Sequence, residues 1–240
     1  MRVLESFVSD ERGCSYLPEE TASLAYRVMI DVEPAEWESM LERGWRRFGV
    51  AYFRPACPAC SECVPIRVPL DRFTPSKGQR RVARGTAGLR LEVGVPRVTE
   101  ERLELYREWH RMQSETRGWA DDGMNAERYF HEFAFPHPSV REYAYYDADR
   151  LVAIAIVDET PNALSAVYTF HDPALRKLSL GTASVLRQIE MGQRLGKRWL
   201  YLGYRVLGCV SSQYKAKFRP HELLEGWPRA HEVPVWGSGE

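Results

Sequence analysis

Leu151-Val-Ala-Ile-Ala-Ile-Val157 and Ala163-Leu-Ser-Ala-Val-Tyr-Thr-Phe170 decide the fold. The first is the longest clear apolar run of the 240 residues, and it falls well short of the ~20 residues a membrane span needs. Turn residues Asp147-Ala-Asp149 and Thr160-Pro-Asn162 bound it, so 142–146, 151–157 and 163–170 read as an antiparallel meander. Further on, 179–195 has a helical period and stops at Gly196, and 199–204 is again strand-like. A strand–helix–strand unit adds a parallel pair beside the meander, which predicts a mixed α/β sheet. Upstream, Thr99 opens a helix with Glu100 and Glu101 in its first turn, running to about Thr116. A loop at 118–123 and a second helix at 126–133 follow.

The N-terminal part is organised differently. Residues 1–20 look irregular, 21–30 a strand, and 34–43 a short helix entered by Pro34 and ended at Gly44. One strand at 45–54 leads into a turn holding Cys57, Cys60 and Cys63, and a strand at 64–70 leaves it. Residues 75–84 form a basic turn or helix, and 89–95 alternates as a strand does. The tail at 214–227 begins basic and extended and ends in a helical turn at 220–225.

Thiolates at every third position on a Pro-interrupted turn suit a soft metal ion or an iron–sulfur cluster. Cys14 is the obvious fourth donor, and Cys209 stands apart as a structural thiol. Five cysteines in this pattern fit a reducing compartment better than a disulfide framework. The first residues carry charges where a signal peptide has its apolar core, so the expected location is the cytoplasm.

Formal net charge is zero, yet it is unevenly spread. Residues 43–90 hold eleven Lys/Arg against Glu62 and Asp71, while 1–42 hold three basic and ten acidic residues. Residues 194–221 hold seven Lys/Arg and no acid. Two basic blocks on a neutral chain point to an anionic partner at one face, with nucleic acid the leading candidate.

A meander followed by a helix and a parallel strand is the core order of the N-acetyltransferase-like (GNAT) acyltransferase fold. CoA-using enzymes of that fold open the helix with a Gly-rich turn that cradles pyrophosphate. Here 172–182 has one glycine, Gly181, so CoA is not the expected acyl donor.

Several ordered segments together resemble the arginyl-tRNA–protein transferase family, and within it the short bacterial aspartate/glutamate leucyltransferases. They are Cys14-Ser-Tyr-Leu-Pro18, Tyr52-Phe-Arg-Pro with the cysteine triplet, Val64-Pro-Ile-Arg-Val68 and Phe73-Thr-Pro-Ser-Lys-Gly-Gln-Arg-Arg81. Asn162-Ala-Leu-Ser-Ala-Val-Tyr168, Ser179-Leu-Gly-Thr182, Trp199-Leu-Tyr-Leu-Gly-Tyr204 and Tyr214-Lys-Ala-Lys-Phe-Arg-Pro220 complete the set. The resemblance implies transfer of an amino acid from aminoacyl-tRNA to the α-amino group of proteins beginning with Asp or Glu. The product is an N-end rule degradation signal, and short bacterial members of this type transfer leucine. It also implies that Cys14, Cys57, Cys60 and Cys63 are associated with an iron–sulfur cluster or a metal such as zinc. Two departures stand out: Gly44-Trp-Arg-Arg-Phe-Gly49 replaces the family's Gly-Phe-Arg-Arg-Ser-Gly, and Trp109-His110-Arg111 replaces its Arg-His pair.

On this basis 1–95 is expected to be a Cys-rich lobe and 96–240 the catalytic domain. Tyr168 and Tyr204 are the expected site-lining catalytic residues. Arg54, Arg67, Arg80, Arg81, Lys215 and Arg219 are the expected contacts to tRNA phosphate or to the acceptor's acidic side chain. His110 reads as a core histidine. An arginyl transferase, a CoA-dependent N-acyltransferase with structural zinc, and a non-catalytic metal-binding RNA module are the alternatives. The sequence assigns no oligomeric state.

Overall fold

The computed structural model describes residues 1–120 and 123–239; the middle of the expected 118–123 loop lies outside the described residues. In chain order the N-terminal part runs β1 (Arg2–Val8), β2 (Arg12–Gly13), β3 (Thr21–Ala22), β4 (Leu24–Ile30), α1 (Pro34–Leu41), β5 (Arg46–Phe48) and β6 (Ala51–Pro55). Then come β7 (Cys63–Pro69), α2 (Lys77–Gly85), β8 (Arg90–Gly94), α3 (Glu100–Arg117) and α4 (Ala126–Tyr129), which runs into a π-turn at Phe130–Ala134. The meander is β9 (Val140–Asp147), β10 (Arg150–Glu159) and β11 (Ala163–His171). A 3₁₀ turn (Pro173–Leu178) leads to α5 (Leu180–Arg194) and β12 (Trp199–Val206). Last are α6 (Val210–Gln213), a 3₁₀ turn at Tyr214–Lys217, β13 (His221–Leu224) and β14 (Trp236–Gly239).

The core is an eight-stranded sheet in the order β14-β13-β7-β12-β11-β10-β9-β8. β12 runs parallel to β11 through the α5 crossover, and the meander is antiparallel, as the strand–helix–strand pattern requires. This is the mixed α/β, GNAT-like order. β10 is buried along nearly its whole length because both faces are covered. Val152, Ala155 and Val157 pack in the cluster under α5, while Leu151, Ile154 and Ile156 pack in the cluster under α3. Gly192 lets α5 settle on the sheet: a Cβ there would sit 2.6 Å from Leu70 Cδ1.

A second sheet, β1-β4-β6-β5, lies on this core. Met29, Trp37 and Tyr52 pack with Ala163 and Tyr201 of the core sheet, and a buried ion pair adds a second anchor. Arg47 donates through Nε to Asp158 Oδ2 at 3.0 Å and through Nη2 to Oδ1, and Trp37 Nε1 donates to the same carboxylate at 3.0 Å. Both charges are almost completely buried.

In its secondary-structure elements the structure differs from the sequence expectation at four places. Residues 1–20 are not irregular throughout, since β1 pairs with β4 over its length; its side chains are all exposed, so no buried alternation advertises it. The strand expected at 45–54 is a hairpin, broken where Gly49 takes φ +51°. The 126–133 helix loosens into the π-turn after one α-helical turn. The tail inverts the expectation: 210–217 is helical and 221–224 is a strand, held by β7 on one side and β14 on the other. The expected boundary at 95/96 crosses the core sheet, because β7 and β8 pair with β12 and β9. Among the described residues no helix is long and apolar enough to cross a membrane.

Candidate active site

β11 and β12 pair only from Ala163–Trp199 to Ser165–Tyr201 and then part. β12 also bulges against β7 between Tyr201 and Tyr204, where Gly203 takes φ +81°. The parting exposes strand backbone, and Arg46 fills the gap. Its guanidinium donates to Ser165 Oγ at 2.7 Å and to the carbonyl of Ala166.

Beyond Arg46 opens a cavity of about 760 Å³, within the size range of small-molecule sites. Leu24, Tyr26, Phe48 and Phe53 of the N-terminal sheet line one side, and Val167 and Tyr168 of β11 face them. Tyr168 is held in an aromatic nest, stacked on Phe133 (5.2 Å) and Tyr106 (6.1 Å), with Phe48 edge-on at 6.2 Å. This end is apolar. Its lining carboxylate, Glu132 of the π-turn, already accepts from Arg128 Nε at 2.6 Å.

The other end is cationic. Lys215 Nζ donates to the carbonyl of Tyr204 at 2.8 Å. A Cβ built at Gly203 would lie 3.5 Å from Lys215 Nζ and 3.8 Å from Arg46 Nε, so both cations converge on one point of β12. Neither forms an ion pair among the described residues. Burial, then the neighbouring Arg46 charge, pulls the Lys215 ammonium down to about 8. Burial likewise lowers Arg46 from its ordinary value. Two half-buried cations with only neutral partners form a site for an anion.

Of the residues expected from sequence, Tyr168, Tyr204 and Lys215 line this cavity. Tyr204 spends its hydroxyl proton on the carbonyl of Gly44 at 2.9 Å, and so fixes the turn that carries Arg46. Arg54 and Arg67 lie elsewhere. Arg54 donates to the carbonyl of Pro228 at 3.1 Å and lies over Trp45. Arg67 pairs with Glu222 at 2.8 Å and is sandwiched between Trp199 and Trp236, at 3.7 and 4.2 Å from the ring centroids. Arg80, Arg81 and Arg219 are exposed outside the cavity. His110 is buried and stacks on Tyr106 at 5.6 Å, as a core histidine does.

Cys14, Cys57, Cys60 and Cys63 all line the same cavity, and all five cysteines are free thiols. Burial, then the three neighbouring cysteines, pushes the Cys63 thiol up to about 12. Yet among the described residues no three His, Cys, Asp or Glu side chains stand close enough to hold a metal ion. Cys57 points its thiol at the carbonyl of Ser23 at 3.6 Å, and Cys14 accepts from the backbone of Tyr16 at 3.4 Å. The four thiols share a wall without forming a ligand set, and as placed they do not fit the implied metal or cluster.

Arg46, Phe48 and Gly203 are the site residues that sequence reasoning missed. The sequence left the first ambiguous with its neighbour. Adjacent strand residues point to opposite faces, so Arg46 and Arg47 cannot share a partner. Arg47 takes Asp158, which leaves Arg46 facing the cavity.

The fold resembles that of FemX, whose solved structure matches with a TM-score of 0.51 at 8% identity over 89% of this chain and 84% of that one. An acyltransferase-like core with one cavity, apolar at one end and cationic at the other, defines the class. Two models of the arginine-tRNA-protein transferase match, the N-terminal one at 12–81 and the C-terminal one at 101–225. The aspartate/glutamate leucyltransferase of Helicobacter hepaticus is 32% identical over 98% of both chains. That of Pseudomonas fluorescens is 36% identical over 92% of this chain and 94% of its own. The chain belongs to the arginine-tRNA-protein transferase family and is an aminoacyltransferase.

Proposed function

We propose that the chain transfers leucine from leucyl-tRNA to the α-amino group of proteins that begin with Asp or Glu. The observation that carries this reading is the two-ended cavity. An aromatic and aliphatic end suits a leucyl side chain. An arginyl side chain needs a carboxylate, and Glu132 is already engaged by Arg128. At the other end, Arg46 uses two of its five N–H donors on Ser165 and Ala166, leaving three for an incoming carboxylate. Lys215 adds a second charge beside it.

The chemistry asks little more. The α-ammonium of the acceptor titrates near ~7.7–8.0, so roughly a tenth to a sixth is free amine at pH 7. That amine attacks the ester carbonyl. The C–N bond forms, the bond to the terminal ribose oxygen breaks, and the proton lost by nitrogen matches the one gained by the ribose hydroxyl. An ester is already activated, so the protein's contribution is placement of the two partners. Tyr168 lines the donor side, and Tyr204 positions the Arg46 turn. The turn entering α5 is a 3₁₀ helix with Ser179 at φ +54°, not a glycine cradle, which supports tRNA over CoA as donor. Free thiols throughout fit a reducing cytoplasm. The leucylated product would serve as a degradation signal.

The test is direct. Purified protein with leucyl-tRNA and a peptide beginning Asp or Glu is expected to give a peptide one leucine longer by mass. A peptide beginning Asn is expected to remain unextended. No product from any charged tRNA would overturn the reading.

A further inference from the structure

We propose that the outward face of α2, continued by Lys217 and Arg219, holds the sugar–phosphate backbone at the acceptor end of the donor tRNA. The identity of the polyanion rests on the transfer reading above; the surface itself rests on different residues. Lys77, Arg80, Arg81 and Arg84 fall at i, i+3, i+4 and i+7, one face of the helix, and all are exposed. Gln79 and Thr86 are buried on the opposite side. No acidic residue occurs between Asp71 and Glu92.

Pairing separates this face from the rest of the surface. Many exposed arginines of the chain have a carboxylate: Arg107 with Glu100 at 2.8 Å, Arg128 with Glu132 at 2.6 Å, Arg150 with Asp172 at 2.7 Å, Arg194 with Glu190 at 2.6 Å. None of the four α2 cations forms an ion pair among the described residues, and Arg80 donates only to the carbonyl of Pro75 at 2.5 Å. Like charges at i, i+4 repel. The helix is kept despite them by its Ser76–Gln79 capping box.

The position of the face gives it a direction. Gln79 Nε2 donates to the carbonyl of Lys217 at 3.1 Å, and Phe73 packs on Phe218 at 6.2 Å. Lys217 and Arg219 are exposed in the turn that also carries Lys215 into the cavity. The cationic strip therefore ends where the aminoacyl ester must enter. A nine-residue helix is about 13 Å long. That length spans on the order of four phosphates of one strand at ~3.4 Å each. Contacts of this kind carry affinity and register, not base sequence.

Binding of fluorescently labelled leucyl-tRNA to the full chain, measured by anisotropy across a range of KCl concentrations, tests the proposal. R80Q/R81Q/R84Q is compared with R80K/R81K/R84K and the unaltered chain, with melting curves to confirm folding. The glutamine variant is expected to flatten the slope of log Kd against log salt by about 2–3, at ~0.7–0.9 per phosphate. The lysine variant is expected to keep the slope, and KM for the acceptor peptide is expected to stay the same in all three. A folded glutamine variant with unaltered affinity and slope overturns the docking surface. So does a variant that loses the acidic acceptor instead of the tRNA. Wild-type transfer with an indifferent glutamine variant refutes this surface alone; absence of both tRNA binding and transfer in the wild type refutes the transfer reading.

Discussion

Replacing Arg46 by Gln is expected to lower kcat/KM for a peptide beginning Asp by on the order of 10²-fold. Truncating one partner of a largely desolvated charge pair costs about 2–5 kcal/mol. The loss is expected to appear in discrimination. With Arg46 present, a peptide beginning Asp outcompetes one beginning Asn. In the R46Q variant the two converge, because the remaining side-chain amide bonds a carboxylate and a carboxamide alike. KM for leucyl-tRNA is expected to change little, since the donor's apolar end lies at Phe48, Phe53 and Tyr168. Among the described residues Arg46 bonds only Ser165 and Ala166, both neutral partners, so melting is expected to move far less than activity. Steady-state kinetics on the paired peptides checks this. An unchanged Asp-to-Asn ratio contradicts the assignment of Arg46 as the acceptor's anion clamp.

Asp158→Asn is expected to have the largest effect on stability. It leaves the Arg47 guanidinium buried without a counter-charge and weakens the bond from Trp37. Breaking such a pair from one side costs about 3–5 kcal/mol. For a chain of this size that corresponds to a fall in Tm on the order of 10 °C. Because the pair joins the N-terminal sheet to β10, cavity formation is expected to fail along with stability. The double replacement R47M/D158L removes both charges and is expected to recover much of the loss. Thermal melts of the three variants decide it. A D158N protein that melts within about 2 °C of wild type would show that the pair does not anchor the sheet.

What the sequence disclosed follows from where its information lies. β10 and β11 were legible because their burial is written as continuous apolar residues bounded by turns. α5 and β12 followed from period and from Gly196. β1 left no such trace, since backbone pairing with β4 holds an exposed strand whatever its side chains. The site divides similarly. Tyr168 and Tyr204 lie on strands whose order was readable, whereas Lys215 lies in a tail segment expected to be extended and found helical. Arg67 misled because its partner Glu222 lies 155 positions away, and only the folded sheet brings the two together. The cysteine spacing placed three thiols together, and they line the same cavity as Cys14. Spacing alone does not aim sulfurs, and Cys57 points at a backbone carbonyl instead. Arg46 was hidden by its neighbour, since a strand sends adjacent side chains apart and the sequence does not say which one turns inward.

The central claim is that one cavity holds the aminoacyl donor and the acidic acceptor together. Hydrogen exchange on the full chain, with a hydrolysis-resistant leucyl-adenosine amide and a peptide beginning Asp, tests it most directly. Protection is expected to rise in residues 46–53, 166–168 and 203–206, and the rise is expected to be larger with both ligands than with either alone. Protection confined to the Arg67–Glu222 region, with those three segments unchanged, would contradict it.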